Sequence, residues 1–423
     1  MNLRRSPRRR DVLAAGAATL ALPTALSACG GGSASGSGGE IQFLLSGDAN
    51  QGGGYQAMAD RYAEETGVSV RIVDVPYEDL VTRLRSAAQA DDLPALARAS
   101  AVDPLWKDAL LDLSDIATSY DVLPSLVVRN EDDEVRALPS DLTAVGLFLN
   151  ESLFDQAGVT YPGAGDQPWT WDEFVAALRQ VKAATGARYG MVMDASSHRL
   201  RSFLYQFGSQ GVQQQPDGSW ALDEAGADAL EYFKSLNDDD VMPKSVWVSG
   251  DDPSALFKSG QVAAYYSGVW QVTDFAANIT DFEWTTALMP AQPTRATNIG
   301  TNWIVAFDGS GVEQEALDFL DWLYTPENYA ELSRISGFLP AEEGVDVEYT
   351  SNEEAFAMFN AEIAASDPIA GDQATSALEM SYRDIIIDSD PLKEETLKYV
   401  AGEQDLQTTV TNIGELTTAG YGA

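Results

Sequence analysis

Ile41-Gln42-Phe43-Leu44-Leu45-Ser46-Gly47-Asp48 is the stretch on which the fold is decided. Ile41, Phe43 and Leu45 recur every second residue, the period of a strand, and Ser46-Gly47-Asp48 breaks it. Downstream, Tyr55, Met58, Ala59 and Tyr62 fall at helical spacing, and Gly67 stops that helix. Val68, Val70 and Ile72 return to the two-residue period, and a second helix runs from about Glu78 through Leu80, Leu84 and Ala88. Strand, helix, strand, helix at this density is the rhythm of an α/β sheet. The Gly-rich loop from Gly47 to Gly54 carries no lysine, so it reads as backbone approaching a ligand and not as a phosphate cradle.

Upstream, Arg8-Arg9-Arg10-Asp11-Val12-Leu13 leads into an alanine- and leucine-rich run that ends at Leu26-Ser27-Ala28-Cys29. A positive start, an apolar middle and small residues before a cut predict a secretory leader over residues 1–28. Arg9-Arg10 also resembles a twin-arginine export signal. Leu26-Ser27-Ala28-Cys29 resembles a bacterial lipobox, so Cys29 is expected to carry lipid and to begin the mature chain. The apolar run, about 15 residues, is shorter than the roughly 20 that span a bilayer. From Gly30 to Gly39 the chain is nearly all Gly and Ser; with Cys29 it forms a 29–39 tether reaching about 17 Å. The expected location is the outer face of the cytoplasmic membrane, at the cell surface or in a periplasm, with the lipid as the only membrane contact.

The remaining stretch, about 395 residues, exceeds what one core usually holds, which predicts two lobes. A hydrophobic share of 45% with 9% aromatic residues is that of a globular chain. Cys29 is the one cysteine, so no disulfide or thiolate metal site can form within the chain. The formal charge of −39 grows more negative once the arginine-rich leader is removed. Such a surface repels nucleic acid and anionic ligands, and its plainest reading is solubility.

Catalytic chemistry is scarce. His198 is the one histidine, and His-Glu-x-x-His, paired Cys-x-x-Cys, Gly-x-Gly-x-x-Gly and a phosphate-loop Gly-Lys-Ser/Thr are missing. With 65 acidic residues some carboxylate pair always lies at a workable distance, so acid count alone is no argument for a glycoside hydrolase. The chain reads as a non-enzyme without catalytic residue, cofactor or metal.

Further along, Thr170 and Glu173 have capping-box spacing ahead of Phe174, Leu178 and Val181, with Gly186 as the stop. Asp223 opens a helix carrying Leu230 and Phe233, and Val262 to Tyr266 is a short apolar strand. Ala316, Phe319, Leu320 and Leu323 share a helical face, Thr325-Pro326 starts another helix, and the chain from about Glu353 onward is mainly helical.

Several short stretches recur in a recognisable order: Ser46-Gly47-Asp48, Ala101-Val102-Asp103-Pro104-Leu105-Trp106, Leu138-Pro139-Ser140-Asp141, Asn150 to Val159, and Trp169-Thr170-Trp171-Asp172-Glu173-Phe174. Ser267-Gly268-Val269-Trp270, Thr325-Pro326-Glu327-Asn328 and Gly337-Phe338-Leu339-Pro340 complete the set. Together, behind a lipobox, they resemble the family 1 extracellular solute-binding proteins of ABC sugar importers, the group that includes maltose-binding protein. The resemblance implies a two-lobed periplasmic-binding-protein fold of type II with three hinge crossings, near Thr143 to Leu147, Gly300 to Ala306 and Phe338 to Ala341. Lobe 1 would hold 40–145 and 304–337, and lobe 2 would hold 146–303 and 338–423. The implied function is that of a monomeric receptor that binds a mono- or oligosaccharide in the interlobe cleft and delivers it to an ABC permease. A receptor for another small polar solute, such as a polyamine, is the alternative that the acidity suits, with a surface glycoside hydrolase a remote one.

A neutral sugar offers ring-edge hydroxyls and flat C–H faces, so planar charged groups and aromatic platforms are the efficient readers. The resemblance nominates Trp270 as the stacking tryptophan, against a core role behind its turn. Asp103 matches a carboxylate that binds ring hydroxyls, or caps a helix before Pro104. Asp48 is either a cleft aspartate or a turn residue, and Asp141 either an acidic contact at the first crossing or a hinge hydrogen-bonding group. Trp303 and Tyr382 are aromatic candidates with core alternatives, and His198 and Arg199 fall where relatives present polar contacts. Trp247 reads as packing. In Pro94-Ala95-Leu96-Ala97-Arg98 the acid that relatives carry after the proline is missing, which leaves open an entry of Arg98 into the cleft.

Overall fold

The computed structural model describes residues 39–349, 351–371 and 389–421. The leader, the tether up to residue 38, Cys29 and Tyr382 lie outside them. The opening run is β1 (Ile41–Leu45), α1 (Gly54–Thr66), β2 (Val70–Asp74), α2 (Tyr77–Gln89), β3 (Leu96–Ala99), α3 (Ser114–Ser119), β4 (Val128–Arg129) and β5 (Val135–Pro139). Then come β6 (Thr143–Asn150), α4 (Glu151–Ala157), α5 (Trp171–Thr185), β7 (Tyr189–Met193), α6 (Ser197–Gln206), β8 (Val212–Gln214), β9 (Trp220–Leu222) and α7 (Glu224–Leu236). The chain continues through α8 (Lys244–Val248), α9 (Pro253–Lys258), β10 (Val262–Gly268), α10 (Gln271–Asn278), β11 (Trp284–Ala287) and β12 (Ile299–Gly300). It ends with β13 (Trp303–Ala306), α11 (Glu313–Leu323), α12 (Pro326–Ser336), α13 (Glu353–Ala365), α14 (Pro391–Ala401) and α15 (Leu406–Tyr421).

The strands form two main sheets. The first has the order β2-β1-β3-β13-β5-β4, with β1 parallel to β2 and β3 and with β13 antiparallel to β3 and β5. The two-residue period decides its faces. Ile41, Phe43, Leu45, Leu96 and Ile304 pack into one buried cluster with α1, α11 and α12, whereas Leu44, Ala97, Trp303 and Val305 pack into another with α2. Both faces of this mixed sheet are therefore covered, as its parallel strands require. The second sheet has the order β11-β6-β10-β7, with β12 also on β6, and it owns a separate core that includes Phe148, Phe154, Trp171, Phe174, Tyr265 and Phe275.

Local signals and structure agree at several ends. Gly67 takes φ of 77° and donates its N–H to Ala63 O, closing α1. Thr170 and Glu173 make the full capping box of α5, and the Asp223 side chain accepts from Gly226 N at the start of α7.

The chain passes between the sheets at neighbouring places. Residues 140–142 join β5 to β6, and 301–302 join β12 to β13. Ser140 N donates to Asn302 O at 2.8 Å, and Leu142 N donates to Leu339 O at 2.8 Å, so three passing segments lie side by side. At the third, Phe338 packs in the first core and Leu339 in the second. Thr143 and Ala144 already pair with Gly300 and Ile299, while Trp303 already pairs with Ala99 and Pro139.

Candidate functional site

Ligands of open α/β sheets bind beyond the carboxyl ends of parallel strands, where loops and helix starts converge. In the first sheet those ends lead into Ser46–Asp48 after β1 and Ser100–Asp103 after β3; in the second they lead into Asp194 after β7 and Val269-Trp270 after β10. The two edges face each other, because α10, which follows β10, packs against the Ala49–Gln51 turn that follows β1.

On the second sheet a polar network is built around Asp194. Arg199, on the first turn of α6, donates Nε at 2.7 Å and a terminal nitrogen to Asp194 Oδ2. Ser267 Oγ donates to the same oxygen at 2.8 Å, and the Tyr265 hydroxyl donates to Oδ1. Gln271 Nε2 extends the network to the Tyr265 hydroxyl at 3.2 Å. Burial, and then the Asp194 charge, push the Tyr265 phenol well above its usual range, so it stays a donor. The Arg199 guanidinium carbon lies 4.3 Å from the centre of the half-buried Trp270 ring, a cation–π contact. A Cβ placed on Gly268 would lie 2.0 Å from Trp270 Cη2, so the indole occupies the space that only glycine leaves.

His198 is next to Arg199, after Ser196, whose Oγ accepts from His198 N at 3.2 Å. The residue is exposed, and the surrounding protein, then Arg201 and Arg199, lower its pKa. His198, Arg199 and Trp270 are thus brought together around one end of the second sheet.

The first-lobe carboxylates are differently disposed. Asp48 is buried and accepts from Tyr55 N at 2.9 Å and Gln56 N at 3.1 Å, capping α1 from a distance. Asp103 accepts from Leu105 N at 2.9 Å and from Arg85 Nε at 2.6 Å, which combines a turn with an ion pair. Asp141 is 1% exposed and pairs with Arg98 Nη2 at 2.9 Å, while Ser140 Oγ donates to it. Arg98 does not project into open space. It is buried, donates Nε to Ser140 Oγ at 2.8 Å, and lies 5.0 Å from the centre of the Phe338 ring. Trp303 packs within a first-lobe cluster and donates Nε1 to Leu126 O at 2.7 Å, and Trp247 is buried in the second core.

The sequence alone does not single out Asp194, Tyr265 and Gln271. A signal for Asp194 exists: Tyr189-Gly190-Met191-Val192-Met193 is an apolar strand that ends in a carboxylate, much as Ile41–Leu45 runs on to Asp48. Tyr265 is invisible in that way, because it sits inside a strand where an aromatic residue reads as core. Among the described residues no group of three or more His, Cys, Asp or Glu is arranged to hold a metal. Nor is any helix there long and apolar enough to cross a membrane.

Comparison with known proteins gives this geometry a family. A Brucella abortus (strain 2308) binding protein is 26% identical over 315 residues, covering 71% of this chain and 75% of that one. The lactose-binding protein of Rhizobium radiobacter is 29% identical over 206 residues, 46% of each chain. The crystal structure of the cyclic alpha-maltosyl-1,6-maltose binding protein from Arthrobacter globiformis superposes with a TM-score of 0.64 at 24% identity, covering 91% of this chain and 99% of that one. The fold is therefore the two-lobed α/β fold of periplasmic sugar-binding proteins. Residues 57–357 match the bacterial extracellular solute-binding protein family, and the chain belongs to that family of binding proteins, not enzymes.

Proposed function

We propose that this chain is the sugar receptor of an ABC importer, capturing a mono- or oligosaccharide between its lobes and passing it to the permease. The observation that carries the reading is the half-buried Trp270 ring, set on Gly268 and braced by the Asp194–Arg199 network at the mouth of the second sheet. A rigid indole supplies area for a sugar's C–H face at small entropic cost, and charge-assisted donors beside it suit hydroxyls. The lactose-binding relative and the oligosaccharide-binding structural neighbour support the same ligand class. The disposition of the first-lobe acids weighs against a polyamine: Asp48, Asp103 and Asp141 are committed to backbone N–H groups, Arg85 and Arg98.

In this reading lobe 1 comprises 40–139 and 303–337 and lobe 2 comprises 143–300 and the chain from 346 onward, with residues 140–142, 301–302 and 338–345 as the connecting segments, the last still paired with Val122 and Leu123 of lobe 1. A ligand that touches both lobes shifts the open–closed population by its differential affinity for the closed form. The receptor acts as a monomer, exported by its leader and held outside the cell through lipid on Cys29.

Calorimetry of residues 39–423 against a panel of neutral saccharides and polyamines tests the ligand class. Sugar binding that Trp270→Ala abolishes, with the apo melting temperature within a few degrees of wild type, is the expected result. Heat with polyamines alone would overturn the reading.

A further inference from the structure

One face of α6 carries chemistry that the Trp270 platform does not use. His198, Arg201 and Tyr205 recur at positions i, i+3 and i+7, which lie on a single side of a helix. Arg199 points elsewhere, onto Asp194 and Trp270. His198 is exposed, yet loss of water to the surrounding protein is the largest influence on its imidazole, so the ring borders a concavity and not an open surface. Arg201 is the stronger of the two charges that act on it, ahead of Arg199, which sets the imidazole beside both guanidinium groups. The Arg201 charge also reaches Tyr205 and Tyr421, and the Tyr421 ring centre lies 4.9 Å from that of Trp220.

Arg201 is half-buried, and neither its guanidinium nor the His198 ring has a hydrogen-bond or ion-pair partner among the described residues. The nearby carboxylates are engaged. Asp194 accepts from Arg199, Ser267 and Tyr265, and Asp390, which also acts on Tyr421, caps α14 by accepting from Lys393 N at 3.2 Å. In a chain with 65 acidic against 26 basic residues counter-ions are plentiful, and a half-buried guanidinium left without one gives up hydration for no pairing. A ligand group of opposite charge supplies the missing pair, and the planar fork of arginine fits two oxygens of a carboxylate or phosphate. The imidazole, kept neutral, adds one N–H donor beside it. We infer that Arg201, with His198 next to it, is the anion-reading arm of the site, so that the saccharide it takes carries a carboxylate or phosphate group. The inference rests on the sugar-receptor reading above and names its substrate class. The strongly negative surface slows the approach of such a ligand at long range, whereas selection at a half-buried guanidinium is decided at contact distance.

Calorimetry of the purified protein with matched sets tests this: glucose, galactose and mannose, each against its uronate and its 6-phosphate, with inorganic phosphate as a probe that has no ring. At least one anionic member is expected to bind about tenfold more tightly than its neutral parent, the worth of a charge-assisted hydrogen bond. Which member does so tells carboxylate from phosphate. Arg201→Gln brings that affinity ratio to near one with the melting curve kept, and Arg201→Lys, which holds the charge but not the fork, retains part of it. Wild-type protein that binds no anionic member more tightly than its parent overturns the inference, as does a preference that survives Arg201→Gln. Neutral sugars bound through Trp270 with no anionic preference leave the receptor reading standing while this inference fails. Arg201-dependent binding of inorganic phosphate with no saccharide bound does the reverse.

Discussion

At the scale of single residues, the platform depends on what position 268 lacks. Adding one methyl there places a carbon 2.0 Å from the Trp270 ring, and the ring, being the movable partner, swings away. Gly268→Ala is therefore expected to lower sugar affinity by about two- to tenfold, the worth of an aromatic contact, with little change in melting temperature. Asp194 is the opposite case. Its side chain is 17% exposed, that of Arg199 is 12% exposed, and Arg199, Ser267 and Tyr265 all donate to it. Asp194→Ala leaves a half-buried guanidinium unpaired, so it should cost about 3 kcal/mol in denaturant unfolding as well as ligand affinity. The two substitutions separate the shape of the platform from its electrostatic support.

At the scale of elements, the opening strand–helix unit was legible from residue spacing, and so were its stops. The role of Asp48 was not legible, because a carboxylate at a strand end serves a ligand or a helix equally well in one dimension. In three dimensions it accepts the N–H groups of Tyr55 and Gln56 at the start of α1, where the helix dipole also favours negative charge. Asp48→Ala should destabilise the protein by about 1–2 kcal/mol. Chemical denaturation checks this, and a loss of sugar binding without loss of stability would return Asp48 to the ligand. Trp303 illustrates the same limit: its strand alternates like its neighbours, but only the sheet order β3-β13-β5 turns its ring into the core.

At the scale of the whole molecule, the segments that join the lobes also bury an ionisable group. Glu342, just past the third passage, is 4% exposed, and neither carboxyl oxygen has a hydrogen-bond partner among the described residues. Burial pushes its pKa from 4.5 up to about 9. The folded state then keeps a proton that the unfolded chain loses above pH ~4.5, so stability falls as pH rises across that window. At pH 7 the cost is about 3 kcal/mol. Glu342→Gln, which cannot ionise, should raise the melting temperature at pH 8 and change it little at pH 4. Cell fractionation checks the anchoring proposal, with Cys29→Ala expected to leave the folded receptor soluble.

The sequence by itself determined the class of fold, the positions of the helices that cap and stop themselves, and the family, because periodicity, capping spacing and motif order are properties of neighbouring residues. Tertiary structure alone decided which polar side chains pair with one another. Asp48, Asp103 and Asp141 looked available in the chain and are committed in the fold, while Asp194, just past the end of β7, meets Tyr265 inside the neighbouring parallel strand β10, far from it in sequence. The physical reason is that a hydrogen bond or ion pair between distant segments exists only once the sheets bring them together, and no local pattern records it.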